Sequence, residues 1–138
     1  MSQRSSMIGF TLIEIIIVIA IVAILVVIAV PTYQKQVRDT RRVDATAALM
    51  LARQAMERHY SKNYSYEIAA GDDLPFVEKS PIDGDDAYYN LALSNNTATT
   101  YTITATPIGS HDDPDCGDLS IDQTGKKEAE GEVDSCWR

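Results

Sequence analysis

Polar positions nearly vanish from the first third of the chain. From Phe10 to Val30 the sequence FTLIEIIIVIAIVAILVVIAV carries one charge, Glu14, in twenty-one residues. Coiled as a helix at about 1.5 Å per residue, this run covers about 31 Å, the thickness of a bilayer's hydrocarbon core. Its β-branched Ile and Val disfavour an isolated helix in water, but in hydrocarbon a single segment satisfies its own backbone only as a helix. Pro31 follows and predicts a kink or a local loss of helical hydrogen bonds. A second periodicity then begins. Val37, Ala48, Leu51, Ala55 and His59 fall on one helical stripe, with Ala47, Leu49 and Met50 near it and the arginines mostly elsewhere, which predicts an amphipathic helix over 32–60.

Beyond His59 the helical period is lost. YSKNYSYEIAAGDDLP gathers Tyr60, Tyr64 and Tyr66 and ends in Gly, Asp and Pro, so 61–86 reads as a connecting loop. Alternation takes over from 87 to 138. AYYNLALS (Ala87 to Ser94) and TYTITATP (Thr100 to Pro107) are rich in β-formers and joined by a short polar turn, the pattern of an antiparallel hairpin. Tyr101, Ile103 and Ala105 alternate with Thr102, Thr104 and Thr106, so one face is expected to lie on the helix. DLSIDQTG supplies a third strand, which turns at Gly125 into a fourth around Lys126 to Ala129. The fold class is α+β: a long amino-terminal helix, half membrane-spanning and half amphipathic, packed on a small antiparallel sheet.

Charge is unevenly spread over the 138 residues. Thr32 to Lys62 holds seven Lys/Arg against three acids, a net of plus four, whereas Ser65 onward holds sixteen acids against Lys79, Lys126, Lys127 and Arg138, a net of minus twelve. So acidic a carboxy-terminal unit argues against nucleic acid as a partner, and the basic stretch reads first as a solvated helix face. Two cysteines, Cys116 and Cys136, enclose a loop near the carboxy terminus. In a small unit beyond a hydrophobic segment they read as a disulfide, with two buried thiols as the alternative, and a bridge would stabilise by about 3 kcal/mol. No Ser, His, Asp set or phosphate-binding glycine loop is present, and His59 and His111 lie in unlike contexts, so neither catalysis nor a cofactor is expected. His59 reads as a helix-terminal residue facing the dipole. GSHDDPDCGD collects His111, Asp112, Asp113, Asp115 and Asp118; without an EF-hand pattern it reads as an acidic turn and not as a calcium or other metal site. Trp137 beside Cys136 reads as core packing.

The apolar run admits three readings. One is a secretory signal cut after it, near Val27 to Ala29, although the leader holds Arg4 alone and the run is long for a signal core. Another is an uncut anchor, with Glu14 a tolerated interfacial residue. For the third, the carrying residues are Gly9, then Phe10, Thr11, Leu12, Ile13 and Glu14. This segment resembles the amino terminus of type IV prepilins and pseudopilins. The resemblance implies a leader over 1–9, cleavage between Gly9 and Phe10 by a membrane-embedded peptidase, N-methylation of Phe10, and a filament-core helix over 10–31 preceding a globular domain over 32–138. A buried carboxylate needs a cation, and cleavage makes one at Phe10. The family points to a pairing in which Glu14 of one subunit meets the Phe10 amine of a neighbour. Such a pair sets register while Ile and Leu packing gives cohesion.

The Cys116-Gly117-Asp118-Leu119-Ser120-Ile121 segment, with Gln123-Thr124-Gly125 and a terminal Cys136-Trp137, is similar to short minor pilins of the PilE type. That similarity implies a disulfide-bounded carboxy-terminal region and a structural subunit of a type IV pilus. It further implies the processing peptidase and methyltransferase, an assembly ATPase with its platform, other pilin subunits and the inner membrane as partners. A secretion pseudopilin shares the amino terminus, but the cysteine loop favours the pilus; a DNA-uptake receptor pilin is the other alternative. One signal opposes the implied topology. Lys35, Arg38, Arg41 and Arg42 follow the span while Arg4 alone precedes it, and the positive-inside rule would leave the globular unit in the cytoplasm. The disulfide and the resemblance place that unit in the periplasm and then on an extracellular filament.

Overall fold

A computed structural model describes residues 9–138; of the expected leader, all but Gly9 lies outside them. Helix α1 runs from Leu12 to Asn63, through Pro31 and three residues past the predicted end. Within it, Pro31 lacks the N–H that the Val27 carbonyl would accept, and the Thr32 hydroxyl donates back to the Ile28 carbonyl at 3.1 Å. The chain forms two compact units, divided between Gln36 and Val37. In the first, residues 9–36, every side chain is exposed.

The second unit, Val37–Arg138, holds the rest of α1, five strands and a short helix α2 (Val133–Cys136). The strands are β1 (Lys79–Ser80), β2 (Tyr89–Ser94), β3 (Thr102–Pro107), β4 (Leu119–Asp122) and β5 (Lys127–Ala129). They lie side by side in chain order, every neighbour antiparallel. β1 falls inside 61–86, which reads from sequence as loop; a two-residue strand is too short for any period to show. The β2–β3 hairpin sets Leu91 opposite Ala105 and Leu93 opposite Ile103. Its turn is entered through Asn95 at φ 49°, a left-handed conformation that Asn tolerates.

The core forms where alternation in the sheet meets the helix stripe. Tyr89, Leu91, Tyr101, Ile103, Ala105, Leu119 and Ile121 are buried, against Ala45, Ala48, Leu49, Ala52 and Met56. Four alanines among the buried helix positions, Ala45, Ala48, Ala52 and Ala55, let the backbone come close to the sheet. The stripe is rotated from its predicted phase: Leu51 is 50% exposed and Ala47 is exposed, while Arg42, Ala45, Thr46 and Ala52 are buried. Hydropathy could not find that phase, because a charged residue and a hydroxyl stand within it. Trp137 packs at the margin of this core, with Nε1 donating to the Glu128 carbonyl at 3.0 Å.

Candidate functional site

The amino-terminal segment presents Gly9, Phe10 and Thr11 ahead of the helix. Thr11 and Glu14 form a capping box: the Glu14 N–H donates to Thr11 Oγ1 at 3.3 Å and the Thr11 N–H to Glu14 Oε2 at 3.5 Å. Reciprocal bonds of this kind satisfy donors that a helix start leaves open. The structure therefore brings Glu14 to Thr11. Phe10 is 80% exposed, and the apolar side chains that follow have no partner surface within their unit, where no part of the most apolar eighteen-residue window is buried.

Cys116 and Cys136 are joined, with their Cα atoms 5.7 Å apart. Ahead of the bridge stands a buried polar network that sequence reasoning missed. Arg42 donates from Nε to Asp113 Oδ2 at 2.8 Å and from Nη2 to Oδ1 at 2.5 Å, and Tyr89 donates its hydroxyl to Oδ2 at 2.7 Å. The Asp113 carbonyl accepts from the Gly117 N–H at 2.8 Å, so the network ties the helix, β2 and the disulfide loop to one residue. Burial alone would raise the Asp113 pKa, but the Arg42 and Tyr89 hydrogen bonds prevail and hold it below the ordinary carboxylate value. Arg42 is raised by its bond to Asp113, and burial drives the Tyr89 hydroxyl upward. Beside it His111 lies 4% exposed, its ring 4.9 Å from that of Tyr89, with Arg41 Nη1 3.4 Å from its Nδ1. Burial and then Arg41 push its pKa down. The signal for Arg42 was its position, three and seven residues before Ala45 and Leu49 on the buried stripe. Asp113 is thereby engaged by a cation, and among the described residues no group of three or more His, Cys, Asp and Glu stands where it could hold a metal.

A second polar cluster lies at the far end of α1. The Tyr66 hydroxyl donates to both Glu57 oxygens at 3.1 and 3.2 Å, and Tyr101 donates to Oε1 at 3.4 Å. Tyr60, Tyr66 and Tyr101 follow in a row, the Tyr60 ring tilted on Tyr66 at 4.5 Å and Tyr66 meeting Tyr101 edge to face at 4.8 Å. His59, at the same helix end, meets the Glu67 carbonyl through Nε2 at 3.4 Å and Asn63 Nδ2 through Nδ1 at 3.2 Å. The two histidines thus belong to separate clusters. Lys127 on β5 stands with its Nζ 5.2 Å from the Trp137 ring centre, Arg138 follows Trp137 in the chain, and Lys126, just before β5, pairs with Glu128. Arg53 lies under the adjoining turn, its guanidinium 3.5 Å from the space a side chain at Gly125 would fill.

Comparison with known proteins agrees with these features. A family described as type IV minor pilin ComP, DNA uptake sequence receptor, matches residues 31–120, and the prokaryotic N-terminal methylation motif matches residues 4–30. A type IV pilin from Shewanella oneidensis is 29% identical over 70% of this chain and 96% of its own, with a TM-score of 0.52. The non-core minor pilin PilV of Neisseria meningitidis is 22% identical over 73% of this chain and 94% of its own, with a TM-score of 0.56, a likeness of fold. A search of curated proteins gave no match. With its methylation motif, its long apolar helix and a family match over most of its length, the chain belongs to the type IV minor pilins.

Proposed function

We propose that this minor pilin is made as a precursor, cut between Gly9 and Phe10, and methylated on the new Phe10 amine. It then waits as a single-pass protein with its globular unit, residues 32–138, in the periplasm. Assembly into a filament of pilins buries its helix over 10–31, with Pro31 as the kink, and brings Glu14 of the incoming subunit to the Phe10 amine of a neighbour. The observation that carries this reading is the methylation motif at residues 4–30 on a segment whose apolar side chains are exposed. Those side chains need hydrocarbon first and other subunits afterwards. The processing peptidase and the assembly ATPase with its platform are the partners this route requires. Intact mass of the mature protein tests it: the chain begins at Phe10, carries one added methyl group, and is two hydrogens lighter than its reduced form. A chain that keeps residues 1–9 where maturation is active overturns the reading.

A second role has a specific observation behind it. The matched family is described as a DNA uptake sequence receptor; three of the four Lys/Arg after Ser65, Lys126, Lys127 and Arg138, lie in the last thirteen residues, with Lys127 Nζ 5.2 Å from the Trp137 ring. Cations around an aromatic suit a phosphate backbone, although the acidic surroundings weaken the attraction. Binding of duplex DNA that falls with salt, and falls further in Lys126→Gln/Lys127→Gln, supports this role; binding unchanged by the pair removes it.

A further inference from the structure

Strand β2 is paired with β3 along all six of its residues, but β1 reaches only Tyr89 and Asn90 on its other side. The ladder stops just beyond, where the Leu91 N–H donates to the Glu78 carbonyl at 2.9 Å. Upstream of Glu78, Pro75 has no N–H with which to continue it, and Phe76 and Val77 instead line a small cleft against Ala48 and Ala52 of α1. Backbone groups alternate in direction along a strand, so the Leu93 N–H and carbonyl point the same way as the bonded Leu91 N–H, away from β3. Neither finds a partner among the described residues.

A groove of about 380 Å³ lies against this open edge, a volume within the range of ligand-binding clefts. Leu91 and Leu93 line it together with residues 68–72. That segment is folded by the Asp72 N–H bond to the Ala69 carbonyl at 3.1 Å and pinned where Asn96 Nδ2 donates to the Ile68 carbonyl at 2.9 Å. Asn96 also lines the groove, and its Oδ1 has no partner among the described residues. Asp72 and Glu78 stand at the groove, and with Asp73 they line an adjoining hollow of about 410 Å³. No Lys or Arg lines either, and none of the three carboxylates joins a described ion pair. An open edge is a template for another strand, and unpaired acids favour a cation. We propose that this groove is a docking site for an extended, Lys- or Arg-bearing peptide of a partner protein, which adds a strand beside β2 at Leu93 and sets its basic side chains on Asp72 and Glu78. Alternate side chains of a strand share a face, so the recognised pattern is a basic residue at every second position. The same carboxylates turn away phosphate-bearing ligands. The inference stands on the globular unit alone and requires neither processing nor filament assembly.

The full-length chain in detergent micelles, titrated with a labelled peptide of alternating Lys and Val, provides the test. Saturable binding by fluorescence anisotropy is expected, together with new hydrogen-exchange protection of the Leu93 amide. The same peptide N-methylated along its pairing edge keeps its charges and loses the ladder; it binds about tenfold more weakly. Asp72→Asn/Glu78→Gln weakens the parent peptide by about tenfold, whereas Glu132→Gln/Asp134→Asn, which removes two exposed acids elsewhere, does not. Leu93→Pro deletes the donor at an edge position where proline is tolerated, and binding is lost. If that variant does not fold, Leu93 exchange in the wild type decides: protection by the peptide upholds the site, and unchanged exchange overturns it. Equal binding of the N-methylated peptide, or undiminished binding to Asp72→Asn/Glu78→Gln, overturns the inference. So does dimerisation that grows with protein concentration and is blocked by the peptide, which would make a second copy of this chain the occupant.

Discussion

Asp113 is the residue on which the most interactions converge: a cation from the helix, a hydroxyl from β2 and backbone N–H groups at the disulfide loop. Removing its cation strands a buried charge, so Arg42→Ala is expected to cost about 3–5 kcal/mol in denaturant unfolding. Replacing Arg42 and Asp113 together by apolar residues of similar volume costs less, because neither charge is then left alone. The same cluster sets the response to acid. His111 is depressed below 6.5; as pH falls through 6.5 the unfolded chain takes a proton that the folded chain refuses, and stability declines. Asp113 is depressed below 3.8, so its contribution is present above the ordinary carboxylate range and is lost as pH falls further. In His111→Gln the decline that begins near pH 6.5 is absent from stability curves while the lower one remains; persistence of the first would assign it elsewhere. Tyr89 and Tyr101 are raised, chiefly by burial, so above pH 10 the folded chain holds protons the unfolded chain releases, and stability falls there too. In the sequence, His111 and Asp113 stood out only as part of an acidic run. Their partners Arg42 and Tyr89 lie 71 and 24 residues away, and no local pattern links positions so far apart.

At the scale of elements, the phase of the helix stripe can be tested directly. Leu49 is fully buried and Leu51 is 50% exposed, so Leu49→Ala is expected to destabilise by about 2–5 kcal/mol and Leu51→Ala by under about 1 kcal/mol. The reverse order would restore the stripe that hydropathy alone suggests. Strands β2, β3 and β4 were legible because Tyr101, Ile103 and Ala105 against Thr102, Thr104 and Thr106 give a clean period of two. The helix was legible in its existence and extent, within three residues at its end. Its phase was not, since Arg42 and Thr46 on the buried side are stabilised by Asp113 and by the Val43 carbonyl and not by apolar contact. β1 and α2 are too short to leave a period at all. At the amino terminus the motif from Gly9 to Glu14 was fully legible, but the capping role of Thr11 required the backbone. Glu14→Ala removes the carboxylate half of that capping box and the proposed partner of the Phe10 amine; surface filaments lacking this subunit, with membrane insertion kept, are the expected outcome, and unchanged incorporation would discard the pairing.

For the molecule as a whole, the Cys116–Cys136 bridge and the Arg42–Asp113 ion pair tie the carboxy-terminal third in place. Cys116 and Cys136 stand 20 residues apart, and reduction is expected to remove about 3 kcal/mol, visible as a lower Tm that returns on reoxidation. No shift on reduction would mean that the sheet and Arg42 suffice. The arrangement of the sheet has a consequence for how the chain matures. Because β1 to β5 lie in the order in which they occur, each newly arriving strand finds its neighbour already delivered, and the open edge of the growing sheet waits only for the next strand in the chain. A polypeptide threaded across a membrane from its amino end can thus lay down its sheet one strand at a time. The clasp between Arg42 and Asp113 reaches back to the helix once β3 has been delivered and before β4, β5 and Cys136 arrive.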